Sequence, residues 1–125
     1  MMSAKKFRVL VIDDNEDILL MLEAMLKLKD YNVSTKNNID NLETSLKEIL
    51  PDVILMDMLL SGGDGREVCK YLKASINFSH IPLIMISAHP QAREQCLEAG
   101  ADYFLDKPFD MNDLFKSVAA ALNNT

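Results

Sequence analysis

Residues 53–57 read Val-Ile-Leu-Met-Asp, four apolar residues in a row that end on a carboxylate. An apolar run this short that stops at a polar group is typical of a strand buried on both faces. Other short apolar runs recur along the chain, and each is followed by a segment whose apolar residues have helical spacing. Strands buried on both faces belong to a parallel sheet that helices cover on both sides.

The pattern therefore predicts a strand followed by a helix, repeated five times. The predicted strands cover residues 7–12, 31–35, 53–56, 82–86 and 103–105. The predicted helices cover residues 18–28, 39–50 and 91–99, with two more that begin after Asp64 and Asp110. Right-handed crossovers make this a doubly wound α/β domain of three layers. With 125 residues the chain fits one domain, with its core at about 7–122 and no second, output domain.

Composition excludes several classes of protein. The formal net charge is −6 and the pI is about 4.8, so direct binding of nucleic acid is disfavoured. No apolar run is long enough to span a membrane, and Met1 to Lys6 is too short for a signal peptide. Cys69 and Cys96 form no metal-ligand motif and are interpreted as buried, reduced thiols. These features indicate a cytoplasmic protein.

Polar side chains follow four of the predicted strands. These residues are Asp13 and Asp14, Asp57, Ser87 and Lys107. In an open parallel sheet, ligands bind outside the carboxyl ends of the strands, so we expect these side chains to share one edge. Taken singly, each residue is more commonly a helix cap, a turn former or a solvated charge. Their joint placement indicates a site.

The chemistry of this set points to phosphate. Close carboxylates repel one another, so at neutral pH they need a cation or raised pKa values. Oxygen ligands without cysteine or histidine suit a hard ion such as Mg²⁺. A metal ion and Lys107 beside a carboxylate and a hydroxyl would suit a phosphoryl group that the carboxylate attacks.

These residues carry a resemblance to a known family. The chain is similar, over nearly its whole length, to the receiver domains of two-component response regulators. The matching motifs are residues 9–14, Asp57 with Asp64-Gly65, Ser87-Ala88, residues 100–103 and residues 107–109. The resemblance implies the flavodoxin-like fold, a five-stranded parallel sheet of order 2-1-3-4-5.

The resemblance also implies roles for the acidic residues. Asp57 looks like the carboxylate phosphorylated by a histidine kinase phosphohistidine. Asp14, Asp57 and the backbone carbonyl of Leu59 look like ligands of Mg²⁺, for which Mn²⁺ is a substitute. Asp13 looks like a residue that reaches the metal through water.

Further roles follow from the resemblance for residues on the last two strands. Ser87, with its neighbour Ala88, and Lys107 look like the groups that hold the phosphoryl group. The Lys107–Pro108 peptide bond is expected to be cis. Phe104 matches the aromatic position that moves inward on activation, and as a phenylalanine it would signal by packing alone.

Some positions depart from the commonest family pattern or modify it. Residues 60–61 read Leu-Ser where Met-Pro is usual, and Gly63 stands where a large apolar residue often precedes the aspartate. Leu59 and His89 each lie two residues beyond a site residue. We expect this pair to tune the lifetime of the acyl phosphate.

The expected function is signalling rather than enzymatic turnover, with only self-catalysed phosphotransfer and autodephosphorylation. The expected partners are a sensor histidine kinase or phosphotransfer protein and a downstream target or output domain. The sequence does not decide whether the protein forms a homodimer. Alternatives are an aspartyl-phosphate hydrolase, which would need an acid in place of Leu59, a pseudo-receiver that takes no phosphate, and a flavin-binding flavodoxin relative. For the last, the acidic first turn would repel a flavin phosphate.

Overall fold

The computed structural model describes residues 6–60 and 62–123. Its strands are β1 (Arg8–Ile12), β2 (Asn32–Lys36), β3 (Val53–Asp57), β4 (Leu59–Leu60), β5 (Gly63–Asp64), β6 (Leu83–Ser87) and β7 (Tyr103–Asp106). Its helices are α1 (Glu16–Leu28), α2 (Leu42–Ile49), α3 (Gly65–Ala74), α4 (Ala92–Glu98) and α5 (Met111–Asn123). Ser61, and the residues before Lys6 that bear on the signal-peptide prediction, lie outside the described residues.

Five parallel strands form the main sheet, in the order β2-β1-β3-β6-β7. Numbered by these five strands alone, the order is 2-1-3-4-5, so the predicted topology is confirmed. The register pairs Asp57 with Ile86 and Ser87 with Asp106. The carboxyl ends of β3, β6 and β7 therefore end at one level, which brings the residues that follow them together.

The two faces of the sheet build two separate apolar layers. Alternate residues of β3 point to opposite faces, so Ile54 packs in one layer and Leu55 in the other. Helices α1 and α5 cover the layer that contains Leu55, and helices α2, α3 and α4 cover the other. Full burial of such a side chain contributes about 1.5–3 kcal/mol, which explains why the strands read as continuous apolar runs.

Helix α2 is shorter than the predicted 39–50. Its flanking residues Asn41 and Leu50 have left-handed backbones, with φ of 54° and 52°. A left-handed residue takes the chain out of the helical path, so α2 covers only Leu42–Ile49. A periodic apolar pattern shows which face of a helix is buried, but it does not show where the backbone changes hand.

The short antiparallel pair β4–β5 was not predicted, because two-residue strands leave no periodic signal. It holds the segment directly after Asp57, and Gly62 turns the chain there with φ of 81°. At Gly63 an added Cβ would lie 2.6 Å from Cδ1 of Ile39. Ile39, in the loop before α2, thus fills the space beside the position where a large apolar residue is common in the family.

Candidate functional site

Three carboxylates meet at the carboxyl edge of the sheet. Asp13 and Asp14 follow β1, and Asp57 is the last residue of β3. One oxygen from each of the three lies within 4.8 Å of the others. Asp13 is buried, Asp57 is partly buried and Asp14 is exposed. A cluster of this kind, open to solvent on one side, has the donor set that a hard divalent cation prefers.

Asp13 is anchored on one side only. Its backbone N–H donates to the carbonyl of Lys36 at 3.1 Å, and its Oδ1 accepts the N–H of Asn15 at 2.9 Å. Its Oδ2 is buried and has no hydrogen-bond partner among the described residues. A buried carboxylate oxygen without a donor is costly, so its position fits a site that a cation or an ordered water completes.

Lys107 supplies the positive charge of the site. Its Nζ lies 3.5 Å from Oδ2 of Asp57 and 3.9 Å from Oδ2 of Asp13. Its backbone N–H donates to the carbonyl of Ser87 at 3.0 Å, which fixes the loop after β7 to the end of β6. The peptide bond between Lys107 and Pro108 is cis.

The environment of the carboxylates disfavours their charged forms. Burial raises the pKa of Asp57, and the opposite charge of Lys107 partly offsets that rise. Burial also raises the pKa of Asp13, and the neighbouring charge of Asp57 adds to it. One lysine does not balance three carboxylates. Two like charges 4 Å apart repel by about 4 kcal/mol near a protein surface, so a bound cation would relieve this site.

Ser87 is the last residue of β6 and is buried, with an exposed fraction of 5 %. Its Oγ accepts the backbone N–H of His89 at 3.0 Å. The hydroxyl hydrogen is not used by that bond, so Ser87 can still donate to an incoming oxygen. The structure thus brings Asp13, Asp57 and Lys107 into contact, and it places Ser87 on the strand beside Asp57.

The remaining predicted site residues lie at the rim. Ala88 and His89 are exposed, and the ring of His89 accepts the N–H of Gln91 through Nδ1 at 3.3 Å. The Leu59 side chain is exposed, while its residue pairs with Asp64 in the β4–β5 ladder. The side chains of Leu59 and His89 therefore face solvent, on the segments that follow β3 and β6.

Phe104 lies inside the molecule. It is 8 % exposed, packs with the layer covered by α2, α3 and α4, and has the Arg93 guanidinium 5.5 Å from its ring centroid. Arg93 also lies 3.8 Å from Asp106. The ring is therefore already inward in this structure, and its movement on activation stays a prediction.

Two contributors were missed by the sequence reasoning. Asn15 caps α1 and orients Asp13, and an asparagine directly before a helical pattern was the available signal. Gly65 forms part of the Asp64-Gly65 motif, which by itself indicates no role for the glycine. A Cβ there would lie 2.6 Å from the carbonyl oxygen of Asp57, so the start of α3 can approach the end of β3 only without a side chain.

Comparison with known proteins identifies the family. A family model described as the response regulator receiver domain matches residues 9–119. The chain belongs to this family. Response regulator PleD of Caulobacter vibrioides is 41 % identical over 113 residues, which cover 89 % of this chain and 25 % of PleD. DNA-binding response regulator MtrA of Mycobacterium tuberculosis is 31 % identical over 123 residues, which cover 97 % of this chain and 53 % of MtrA.

A solved structure of the same family bears on the acidic cluster. The receiver domain of the sensor histidine kinase PA1611 from Pseudomonas aeruginosa is 28 % identical and superimposes with a TM-score of 0.85. The match covers 95 % of this chain and 99 % of that one, and that structure has a magnesium ion coordinated in its active-site cleft. This chain spans a quarter of the length of PleD and about half that of MtrA. In the described part of the chain, no helix has the length and hydropathy to cross a bilayer.

Proposed function

We propose that this receiver domain accepts a phosphoryl group on Asp57 from the phosphohistidine of a histidine kinase or phosphotransfer protein. One observation carries the proposal. Asp57 stands at the end of its strand among two further carboxylates within 4.8 Å, and the amine of Lys107 lies 3.5 Å from its Oδ2. A structural cap would need neither the surplus of negative charge nor the lysine aimed at it.

The donor set fits a resident Mg²⁺, with Mn²⁺ as a substitute. Asp14, Asp57 and the backbone carbonyl of Leu59 would hold the ion, and Asp13 would act through water. This fit is supported by the raised pKa of both Asp13 and Asp57, and by the Asp13 oxygen that has no hydrogen-bond partner in the described part of the chain. When bound, the ion would neutralise the carboxylates and the oxygens of the transferred group.

The chain's own residues would then divide the work. An oxygen of Asp57 attacks phosphorus, a P–O bond forms, and the P–N bond to the donor imidazole breaks. Lys107 pairs with the added charge, which is about −1.5 to −2 at neutral pH. Ser87 donates its free hydroxyl hydrogen to a phosphoryl oxygen, while its Oγ keeps the segment before α4 attached through His89.

An apolar pocket beside the site suits the phosphodonor. It has a volume of about 420 Å³ and lies between α1 and the loop after β7. Its lining includes Ile18, Met21, Pro108 and Phe109, with Lys107 at its edge. A donor protein that covers this pocket would present its histidine next to Lys107 and exclude water from the transfer.

The signal would leave through β7 and α4. Because Phe104 is already inward and lies beneath Arg93, a shift of Ser87 would change the contacts of the ring rather than bring it in from solvent. The readers of this surface would be a downstream protein or an output domain of a longer chain. The response is a population shift whose size is set by the differential contacts to the phosphoryl group.

The test is covalent labelling. Incubation with Mg²⁺ and a small phosphodonor such as acetyl phosphate should add one phosphate to the intact protein, measured by mass spectrometry. Asp57→Asn should abolish the label, and Asp106→Asn should keep it, because Asp106 is an exposed carboxylate at the end of β7, which β6 separates from β3. Equal labelling of wild type and Asp57→Asn would overturn the assignment.

A further inference from the structure

A single arginine joins two segments that flank the phosphoacceptor strand. Arg66 lies in the first turn of α3, and its Nε donates to Oδ1 and Oδ2 of Asp64 at 3.0 and 3.1 Å. Its Nη2 also bonds Asp64, and its Nη1 donates to Oε1 of Gln95 on α4 at 2.6 Å. The planar guanidinium therefore spans from the segment after Asp57 to α4, with its nitrogens engaged at both ends.

The Asp64 end of this bridge is coupled closely to the acceptor. Asp64 pairs with Leu59 in the β4–β5 ladder, two residues after Asp57. The N–H of Gly65 donates to the carbonyl of Met58 at 2.7 Å. Asp64 also accepts the backbone N–H of Arg66, which caps α3. A displacement of the backbone after Asp57 is therefore transmitted to Arg66 through short, directional contacts.

The bond from Arg66 to Gln95 crosses a cleft between two helices. A polar cleft of about 490 Å³ lies between α3 and α4, and its lining residues are Asp64, Arg66, Glu67, Lys70, Gln95, Glu98 and Ala99. The buried residues of α4 are Ala92 and Cys96, which face the core. The side of α4 that faces this cleft has room to move, and the bond from Arg66 to Gln95 spans that room.

We infer that Arg66 is a positioning residue that holds α4 in its resting position relative to the segment after Asp57. This inference rests on the proposed phosphorylation of Asp57, and it adds a second route from that site to α4. The first route runs through Ser87 and Phe104, where Arg93 of α4 covers the ring. Two arginines thus connect α4 to the rest of the fold, Arg93 at β7 and Arg66 at the β4–β5 segment that follows Asp57.

Loss of this bridge should favour the activated arrangement. In Arg66→Met the alkyl part is retained while the bonds to Asp64 and Gln95 are lost. We expect amide hydrogen exchange in α4 to rise, and the concentration of beryllofluoride that half-converts the Mg²⁺-loaded protein to fall. A change of roughly two- to fivefold is the size expected for a partly exposed, charge-assisted bond.

The matched control is Lys70→Met. Lys70 is a cation one turn further along α3, lines the same cleft and contacts Glu67 at 3.5 Å, without reaching α4. Its exchange rates and midpoint should equal those of wild type. Gln95→Leu removes the other end of the bridge and should reproduce Arg66→Met, while the double variant should add little to either single change. Gln95→Leu also keeps the test decisive if Arg66→Met fails to fold.

The outcomes separate this inference from the proposed function. Beryllofluoride that leaves α4 of the wild-type protein unchanged would overturn the inference, whereas the phosphoacceptor assignment is decided separately by the labelling of wild type and Asp57→Asn. A wild-type protein that responds, together with Arg66→Met and Gln95→Leu midpoints equal to that of wild type, would overturn the positioning role alone. A shift shared by Lys70→Met would also overturn it, because a general loss of charge on α3 would then explain the effect.

Discussion

Charged side chains are balanced at the amino edge of the sheet and unbalanced at its carboxyl edge. At the amino edge, Lys73 pairs with Asp102 and also donates to the carbonyl of Ile81 at 2.8 Å, and the N–H of Leu83 donates to Asp102 at 2.8 Å. At the carboxyl edge, three carboxylates share Lys107, and an oxygen of Asp13 has no hydrogen-bond partner among the described residues. The charges at the amino edge are paired, whereas the carboxyl edge has a surplus of negative charge that a bound cation would neutralise.

The difference indicates that the amino edge stabilises the fold, while the carboxyl edge lowers its stability. A half-buried ion pair with its hydrogen bonds satisfied keeps a loop in place. A cluster of like charges destabilises the folded state until a cation changes the balance. The comparison therefore predicts opposite signs for charge removal at the two edges.

Mg²⁺ should have the largest effect, and only through the carboxyl edge. At a hundred times its dissociation constant, a ligand of the native state raises the free energy of unfolding by about 2.7 kcal/mol. Urea unfolding with and without Mg²⁺ measures this stabilisation. Asp14→Asn should lose most of it.

The matched change at the amino edge is Asp52→Asn. Asp52 accepts the backbone N–H of Arg8 at 2.8 Å, far from the acidic cluster in the fold. This variant should keep the full response to Mg²⁺. An equal loss of the response in both variants would show that the ion acts on the overall charge of the protein rather than at the site.

Removing the lysine that pairs with Asp102 at the amino edge should have the next largest effect on stability. In Lys73→Met, Asp102 loses its charged partner, and the carbonyls of Ser79 and Ile81 lose a donor. The free energy of unfolding should fall by about 2 kcal/mol, below the range for a fully buried pair because Asp102 is partly exposed. Lys70→Met on the same helix should change it by less than about 0.5 kcal/mol. Similar urea midpoints for the two variants would remove the distinction between the edges.

Removing a negative charge from the carboxyl edge should stabilise the protein. Without Mg²⁺, Asp57→Asn should raise the free energy of unfolding at pH 7 by on the order of 1 kcal/mol, because a disfavoured charge is lost. The folded-state pKa values of Asp57 and Asp13 are raised above 3.8, the ordinary value for aspartate. Their favourable contribution is therefore present in full below that value and is lost as the pH rises through the folded-state pKa.

This sign can be checked in a pH series of unfolding experiments without Mg²⁺. The stability difference between Asp57→Asn and wild type should shrink as the pH falls from 7 toward 4, since protonated wild type no longer carries the disfavoured charge. A difference that grows over this interval would mean that the carboxylate of Asp57 is stabilised in the fold and that Lys107 outweighs its burial.

The sequence predicted those parts of the fold and site that depend on strand periodicity. Runs such as residues 53–56 identify buried parallel strands, and parallel strands bring the residues after them to one edge. The convergence of Asp57 and Lys107 follows from that rule, and the topology with its two helical layers does as well. The roles of Leu59 and His89 as tuning residues stay predictions, since their exposure at the rim does not measure a lifetime.

Other features depend on side-chain reach and backbone hand, which periodicity does not encode. The bond from Arg66 to Gln95 joins residues 29 positions apart. The short span of α2 follows from the left-handed backbones at Asn41 and Leu50. The contact between Phe104 and Arg93, 5.5 Å from the ring centroid to the guanidinium, likewise belongs to no sequence motif.

The contact between Ile39 and Gly63 couples the loops that precede two different helices. The backbone of Gly63 is not left-handed, so a side chain there would meet a packing restriction rather than backbone strain. A Cβ at position 63 would lie 2.6 Å from Cδ1 of Ile39, the flexible end of that side chain, so a larger residue requires Ile39 to change rotamer or to become smaller. The two positions, one before α2 and one before α3, thus form an epistatic pair, in which the effect of a substitution at one depends on the residue at the other.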